Sequence, residues 1–157
     1  MQLTSSAFQH QGGIPQTFTC DGENSSPEFS WKDAPAQTKS FALIMDDPDA
    51  PKAGGFTHWV LYNIPSSMAS IPPNVPRQER VSGLGVQGKN DSGKIGYMGP
   101  CPPSGVHRYF VRLYALDTEL DLKPGASRER VMQAIRDHII EKAELMGTYA
   151  RTAKKAA

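Results

Sequence analysis

The sequence predicts a mainly β protein of the α+β class with one principal helix, and three observations carry that reading. Three apolar runs of strand length, Ser40 to Asp46, Phe56 to Ile64 and His107 to Asp117, are each bounded by polar, Gly or Pro residues. The 157 residues include 14 Gly and 13 Pro, which favours many turns over long helices. Only one segment, Arg128 to Leu145, repeats apolar residues at helical spacing, through Val131, Ile135, His138, Ile139 and Lys142.

Taken in order, Gln2 to Phe8 reads as a strand, Gly12 to Pro15 as a turn and Gln16 to Cys20 as a second strand. The Asp, Gly, Asn, Ser and Pro content of DGENSSPEFSW marks a surface loop that leads into a short strand at Phe29 to Trp31. Ser40 to Asp46 lacks alternation and suits a central strand covered on both faces. The following Asp47-Pro48-Asp49-Ala50-Pro51 must leave the sheet, since proline donates no ladder hydrogen bond. In Phe56 to Ile64, strict alternation puts His58, Val60, Tyr62 and Ile64 on one face, with Trp59, Leu61 and Asn63 on the other. Residues 65 to 96 form a long Pro- and Gly-rich excursion holding short elements. His107, Tyr109, Val111, Leu113 and Ala115 then share one face of the third run, opposite Arg108, Phe110, Arg112, Tyr114 and Leu116. Ser127 is placed to cap the helix, and the tail from Ala150 is expected to fray.

The length suits one domain spanning residues 1 to 157. A net charge of +1 with no basic stripe among aromatics argues against nucleic acid as a partner. No basic and apolar leader opens the chain, and no apolar run reaches the ~20 residues of a membrane span, so no transmembrane segment and a cytoplasmic location are expected. Cys20 and Cys101 lack the spacing of a zinc site, and a reduced pair is the default expectation in that compartment, with an approach of the Cys20 loop to the Cys101 turn left open.

Polar residues gather where the strands end. Asp46, Asp47 and Asp49 follow the first run, His58 opens the second, and His107 and Tyr109 open the third, after the turn Gly99-Pro100-Cys101-Pro102-Pro103-Ser104-Gly105. Antiparallel pairing would bring these ends to one edge of the sheet. A carboxylate accepting from one imidazole fixes its tautomer and leaves the second nitrogen for a ligand, and loop N–H groups beside it suit an anion. Each residue also has a plainer use: a histidine satisfied in the core, Asp47 capping a turn, Tyr109 with its hydroxyl at a rim. A facial triad of two histidines and an aspartate would bind a metal, but no short His spacing supports it, and neither metal nor cofactor is expected. Ser104 or Cys101 beside His107 offers a nucleophile pair, without the GxSxG elbow that would make the serine reactive.

DPDAP at Asp47 to Pro51, the pair His58-Trp59, and PPSGVHRY at Pro102 to Tyr109 resemble the phosphatidylethanolamine-binding protein family, also called the Raf kinase inhibitor protein family. TCDGENSSPEFSW, NDSGKIGYMGPCPPSG and AELMGTY are similar to its bacterial and archaeal branch, so the resemblance covers nearly the whole chain. It implies a large antiparallel sheet packed on a smaller one, with few helices besides the main one. It also implies a small pocket for phosphate, acetate, cacodylate or a phospholipid head group, walled here by Asp47, His58, Pro102, His107 and Tyr109 with the backbone from Gly99 to Cys101. Cys101 stands where the family motif has glycine, which enlarges the rim and opens it to redox chemistry. The long C-terminal helix of the eukaryotic members has no counterpart after Tyr149, which weakens the case for their kinase-binding surface.

Three functions follow as expectations. The first is a regulatory protein that binds a small anion, phosphate or phospholipid head group. The second is a metal-independent hydrolase of small esters or phosphoesters, with His58 or His107 as base. The third is a kinase or protease inhibitor acting through the 65 to 98 loop. Oligomeric state stays open, a homodimer among the options. Arg108, on the face opposite His107, is read as a partner for Asp49.

Overall fold

The computed structural model describes residues 1–151; most of the tail expected to fray lies outside the described residues. The strands are β1 (Gln2–Thr4), β2 (Gly12–Gly13), β3 (Phe29–Lys32), β4 (Ser40–Asp47), β5 (Phe56–Pro65), β6 (Ser70–Ile71), β7 (Arg80–Val81), β8 (Gly85–Gln87), β9 (His107–Leu116) and β10 (Ile139–Tyr149), with helix α1 (Arg128–Ile135) before the last. They form a seven-stranded sheet, ordered β2-β10-β9-β4-β5-β8-β7, and a three-stranded sheet, ordered β1-β3-β6. The large sheet is antiparallel apart from the short parallel pairing of β2 with β10. No helix among the described residues is long and apolar enough to cross a membrane.

β4 is the centre of the large sheet, as its unbroken apolar run requires: Phe41, Leu43 and Met45 enter one core, Ala42 and Ile44 the other. The first core fills the space between the sheets and includes Leu3, Phe29, Trp31 and Ile71 from the small sheet. The second lies beneath α1, where Val131 and Ile135 are fully buried. β9 alternates as its sequence dictates, with Tyr109, Val111, Leu113 and Ala115 in the first core and Tyr114 and Leu116 in the second.

Three expectations about elements are corrected. Gln16 to Cys20 is no strand: Pro15 precedes a single 3-10 turn at Gln16–Phe18, closed by Thr19 bonding back to the Gln16 carbonyl. The first strand ends at Thr4, short of Phe8. The largest difference is at the C-terminus, where the helix expected to reach Leu145 stops at Ile135. Ser127 does cap it, accepting from the Arg130 N–H. Residues 139–149 instead pair with β9 along its whole length, from Ile139 opposite Leu116 to Tyr149 opposite His107. Ala143 and Leu145 enter the first core at strand spacing. The hydrogen bonds and burial gained by extending the sheet override a weak helical pattern.

β5 departs from strict alternation twice, and each departure changes the face that side chains present. Met45 faces Trp59 whereas Asp46 faces Thr57, so one extra β5 residue is accommodated at His58. A second slip lies between the pairs Phe41–Ile64 and Leu43–Leu61, where Asn63 adopts φ 54°. Ile64 thereby joins Trp59 and Leu61 in the first core, while Val60 and Tyr62 stay in the second. His58 leaves the face of Val60 and Tyr62 and stands edge-on to Tyr109 at 5.2 Å between ring centroids.

Candidate functional site

At the end of the first core, the antiparallel pairing of β4 with β5 and β9 brings the end of β4 beside the starts of β5 and β9. Alternation along β4 gives Asp47 the face of Met45, and its Oδ2 accepts a 2.6 Å hydrogen bond from His107 Nδ1. Both side chains are buried. Asp47 Oδ1 accepts from the Asp49 N–H at 2.8 Å, the turn that Pro48 imposes on leaving the sheet. With Nδ1–H donated to a carboxylate, His107 Nε2 is left for the cavity.

The His58 bulge has a matching restraint. Its Nδ1 lies 2.6 Å from the Met98 carbonyl, which only accepts, so this nitrogen carries the proton and Nε2 is again the uncommitted atom. Burial pushes the His58 pKa below its ordinary value, against the Met98 hydrogen bond and the fields of Asp47, Asp46 and Asp91, which act in the opposite direction. The ring is therefore a neutral imidazole at neutral pH.

Tyr109 is fully buried, and its hydroxyl has no hydrogen-bond partner of acceptable geometry among the described residues. Burial, together with the nearby Asp47 carboxylate, pushes its pKa strongly upward, so the phenol keeps its proton. A buried hydroxyl without a partner costs roughly 1–3 kcal/mol, which makes it a site where a ligand acceptor is worth most.

These groups share one cavity of about 140 Å³ with Cys101 and Pro102 and with Phe56, Met98 and Pro103 as apolar walls. That volume is well below the roughly 300–1,000 Å³ of sites for drug-sized ligands and suits a small oxyanion. A larger open groove of about 560 Å³ runs beside β1 and β10, but it holds neither of the paired histidines nor the orphaned hydroxyl. Of the seven residues singled out from the sequence, six line the cavity and Gly99 does not. Gly99 instead packs on the neighbouring loop: its N–H donates to Asn24 Oδ1 at 2.8 Å, and a Cβ there would sit 2.1 Å from the Phe18 carbonyl oxygen.

The cysteine expectation is overturned. Cys20 and Cys101 form a disulfide, with Cα atoms 5.4 Å apart, so neither is a free thiol or a nucleophile. The 3-10 turn brings Cys20 against the Gly-Pro turn, where its N–H also donates to the Pro100 carbonyl at 3.1 Å. Ser104 is exposed and lies outside the cavity lining, so it does not pair with His107 there. Among the described residues no three His, Cys, Asp or Glu side chains converge in the geometry of a metal centre. Arg108 does bind Asp49, through Nε and Nη2 at 2.9 Å each and its own backbone N–H, on the outer face.

Sequence reasoning missed the Met98 carbonyl, Phe56 and the Asn24 brace. A backbone acceptor has no side-chain signature, and Asn24 signalled only that its loop turns, as its φ of 59° bears out.

The class of protein so defined is a two-layer β fold with an Asp–His pair, a second histidine and a Pro-rich turn around a small cavity at one end of the sheet. The family model for phosphatidylethanolamine-binding protein matches residues 4–150, and the chain belongs to that family. A UPF0098 protein of Methanothermobacter thermautotrophicus is 56% identical over 96% of this chain and 99% of its own length. One from Aquifex aeolicus is 48% identical over 96% and 89%. Among solved structures, a phosphatidylethanolamine-binding protein homolog from Chlamydia trachomatis superposes with a TM-score of 0.87 at 39% identity, covering 96% of this chain and 97% of that one. E. coli YbcL, described as a new member of the mammalian family, gives 0.88 at 32%, covering 96% and 98%.

Proposed function

We propose that this chain is a regulatory binding protein for a small oxyanion, either free phosphate or the phosphoryl end of a larger ligand such as a phospholipid head group. Asp47 orients His107, the Met98 carbonyl orients His58, and each ring offers Nε2 to the ligand. Tyr109 donates its hydroxyl, and Pro102 and Cys101 close the rim. The observation that carries this reading is the Tyr109 hydroxyl, buried and unpartnered in a cavity that two oriented imidazoles also line.

Tyr109→Phe tests it directly. If the hydroxyl serves a ligand, the variant keeps or gains stability, because an unsatisfied buried group is removed, yet its affinity for phosphate and phosphoethanolamine falls about tenfold. His107→Ala lowers affinity further, by ~10–100-fold, because it removes one of the two rings that present Nε2 to the ligand and strips the buried Asp47 carboxylate of its partner. Calorimetric titration that finds wild-type affinity in both variants rejects the reading.

The Asp47–His107 pair also supports a second reading, in which His107 is a general base acting on water in hydrolysis of a small ester. A panel of esters and phosphoesters with no turnover that depends on His107 removes it. Inhibition through residues 65–98 has less support. That segment is tied to the body by Gln87, whose Oε1 accepts from Trp59 Nε1, by Tyr97, whose hydroxyl donates to the Phe18 carbonyl, and by Arg77, which donates to the Asn24 carbonyl.

A further inference from the structure

The oxyanion reading leaves the charge of the ligand open, and the donor set narrows it. We propose that the cavity captures its oxyanion together with one proton, as a monoanion, and excludes a permanent dianion of the same size. This rests on the oxyanion reading and specifies its ligand.

Charge sets the first constraint. Among the described residues no Lys or Arg lines the cavity, whereas Asp47 does. The nearby cations are committed elsewhere. Lys52 lies over the Phe56 ring at 5.9 Å and pairs with Asp91 at 2.9 Å. Arg108 is held by Asp49 on the outer face of β9, and Arg128 by Asp46 on the helix side of β4. A second negative charge in the cavity would be buried without a fixed countercharge, which is strongly unfavourable.

Hydrogen-bond polarity sets the second. His58 donates its Nδ1–H to the Met98 carbonyl, so the neutral ring presents a lone pair at Nε2. A lone pair complements a P–OH group and opposes a bare phosphoryl oxygen. Tyr109 supplies the opposite polarity, an O–H beside the Asp47 carboxylate but with no acceptor in hydrogen-bonding geometry. One P–OH facing His58 and one P–O⁻ facing Tyr109 satisfy both, and His107, its Nδ1–H committed to Asp47, meets the ligand through Nε2 as a second acceptor or, once protonated, as a donor paired with Asp47. Transfer of that proton to His58 Nε2 leaves the total unchanged: the complex holds one proton shared between ligand and ring. The charged and titratable groups facing His58 are Asp47 from β4 and His107 and Tyr109 from β9, while Asp46, on the other face of β4, and Asp91, from the turn after β8, act through their fields. The carboxylates favour arrival of a proton, and burial keeps it off until a ligand brings it.

The chemical class that fits best is a phosphate monoester, whose second pKa of ~6 makes the monoanion available near neutrality, or inorganic phosphate, whose second pKa lies about one unit higher. A phosphodiester, as in a phospholipid head group, is a monoanion without a proton, so His58 must draw one from solvent.

The test is titration calorimetry of the intact disulfide-bonded protein with inorganic phosphate, methyl phosphate, dimethyl phosphate and sulfate, from pH 5.5 to 8.5, in buffers of different ionisation enthalpy. The expected result is uptake of close to one proton per phosphate or methyl phosphate at pH 8, with affinity falling about tenfold per pH unit once the dianion dominates in solution. Dimethyl phosphate also binds with proton uptake at pH 8, but more weakly, which separates a free or terminal phosphate from a lipid-type diester. Sulfate binds at least about tenfold more weakly than phosphate at pH 6. Equal affinity for sulfate and phosphate, or any of the phosphates binding at pH 8 without proton uptake, overturns the proposal while leaving the oxyanion reading intact. Failure of every anion to bind at every pH overturns both. His58→Gln, which replaces the lone pair with an amide able to donate, is expected to flatten the pH dependence and raise relative sulfate affinity; the ligand series stands without that variant.

Discussion

Asp46 and Asp47 are consecutive residues at the end of one strand, yet alternation sends them to opposite faces of the large sheet and gives them different work. Asp46 turns towards α1, where its two oxygens meet Thr57 Oγ1 and Arg128 Nε at 2.9 Å each. That contact ties the start of the helix to the sheet and ends in a guanidinium that is one-third exposed. Asp47 turns towards the small sheet, meets His107, and ends in an imidazole nitrogen available to a buried cavity. Two identical carboxylates thus become a surface fastening and a site component, and the face, not the residue type, decides which.

Deleting each carboxylate in turn puts the two faces to their hardest test. Asp47→Ala strands the buried His107 N–H and the Asp49 N–H together, and a loss of about 4 kcal/mol is expected, as for one partner removed from a buried pair. Asp46→Ala frees a partly exposed Arg128 guanidinium together with the buried Thr57 hydroxyl, and a loss of about 1–2 kcal/mol is expected, still well short of that for Asp47. Urea denaturation measures both, and equal losses would show that the two faces are not different in kind.

The disulfide adds to the difference, because it belongs only to the site face. Residues 102–106 make no hydrogen bond among the described residues, so between Pro100 and His107 the rim is fastened by Cys101 alone. With 81 residues of separation, Cys20→Ser with Cys101→Ser is expected to lower stability by about 3 kcal/mol. Anion affinity should fall with it, and reduction of the wild-type protein should reproduce both changes. A fall in stability with unchanged affinity would mean that the rim holds its shape without the bond.

The same two faces account for what a reader of the sequence can and cannot see. The central strands and the two faces of β9 are readable because burial imposes a simple period on them. Asp47, His58, His107 and Tyr109 are readable because strand ends concentrate polar side chains at fixed positions, whereas Cys101 and Pro102 are placed at the cavity through the family resemblance. Helical spacing runs on into β10 because Ile139 and Lys142 fit it, and only the partner strand, far away in sequence, decides otherwise. The turn of His58 into the cavity needs a bulge that no local pattern marks. The sequence leaves the disulfide undecided, because pairing depends on a loop approach that 81 residues of intervening chain must fold to create.

The smallest expected effect concerns the third aspartate, Asp49, which lies beyond the sheet on the outer face. Hydrogen bonds from Arg108 hold its carboxyl at about 2, below the ordinary carboxylate range. Because the folded value is depressed, the pair's contribution is fully present above the unfolded pKa of ~3.9 and is lost as pH falls through about 2. Arg108 is half exposed, so solvent and salt screen the interaction and the contribution is small. Acid unfolding followed by circular dichroism should therefore show a slightly shallower loss of stability between pH 4 and 2 in Asp49→Asn than in wild type, with the difference shrinking as salt is added. A large, salt-insensitive difference would mean that Asp49 supports the cavity through the His107 side of the strand, and the division between a fastening face and a site face would have to be redrawn to include it.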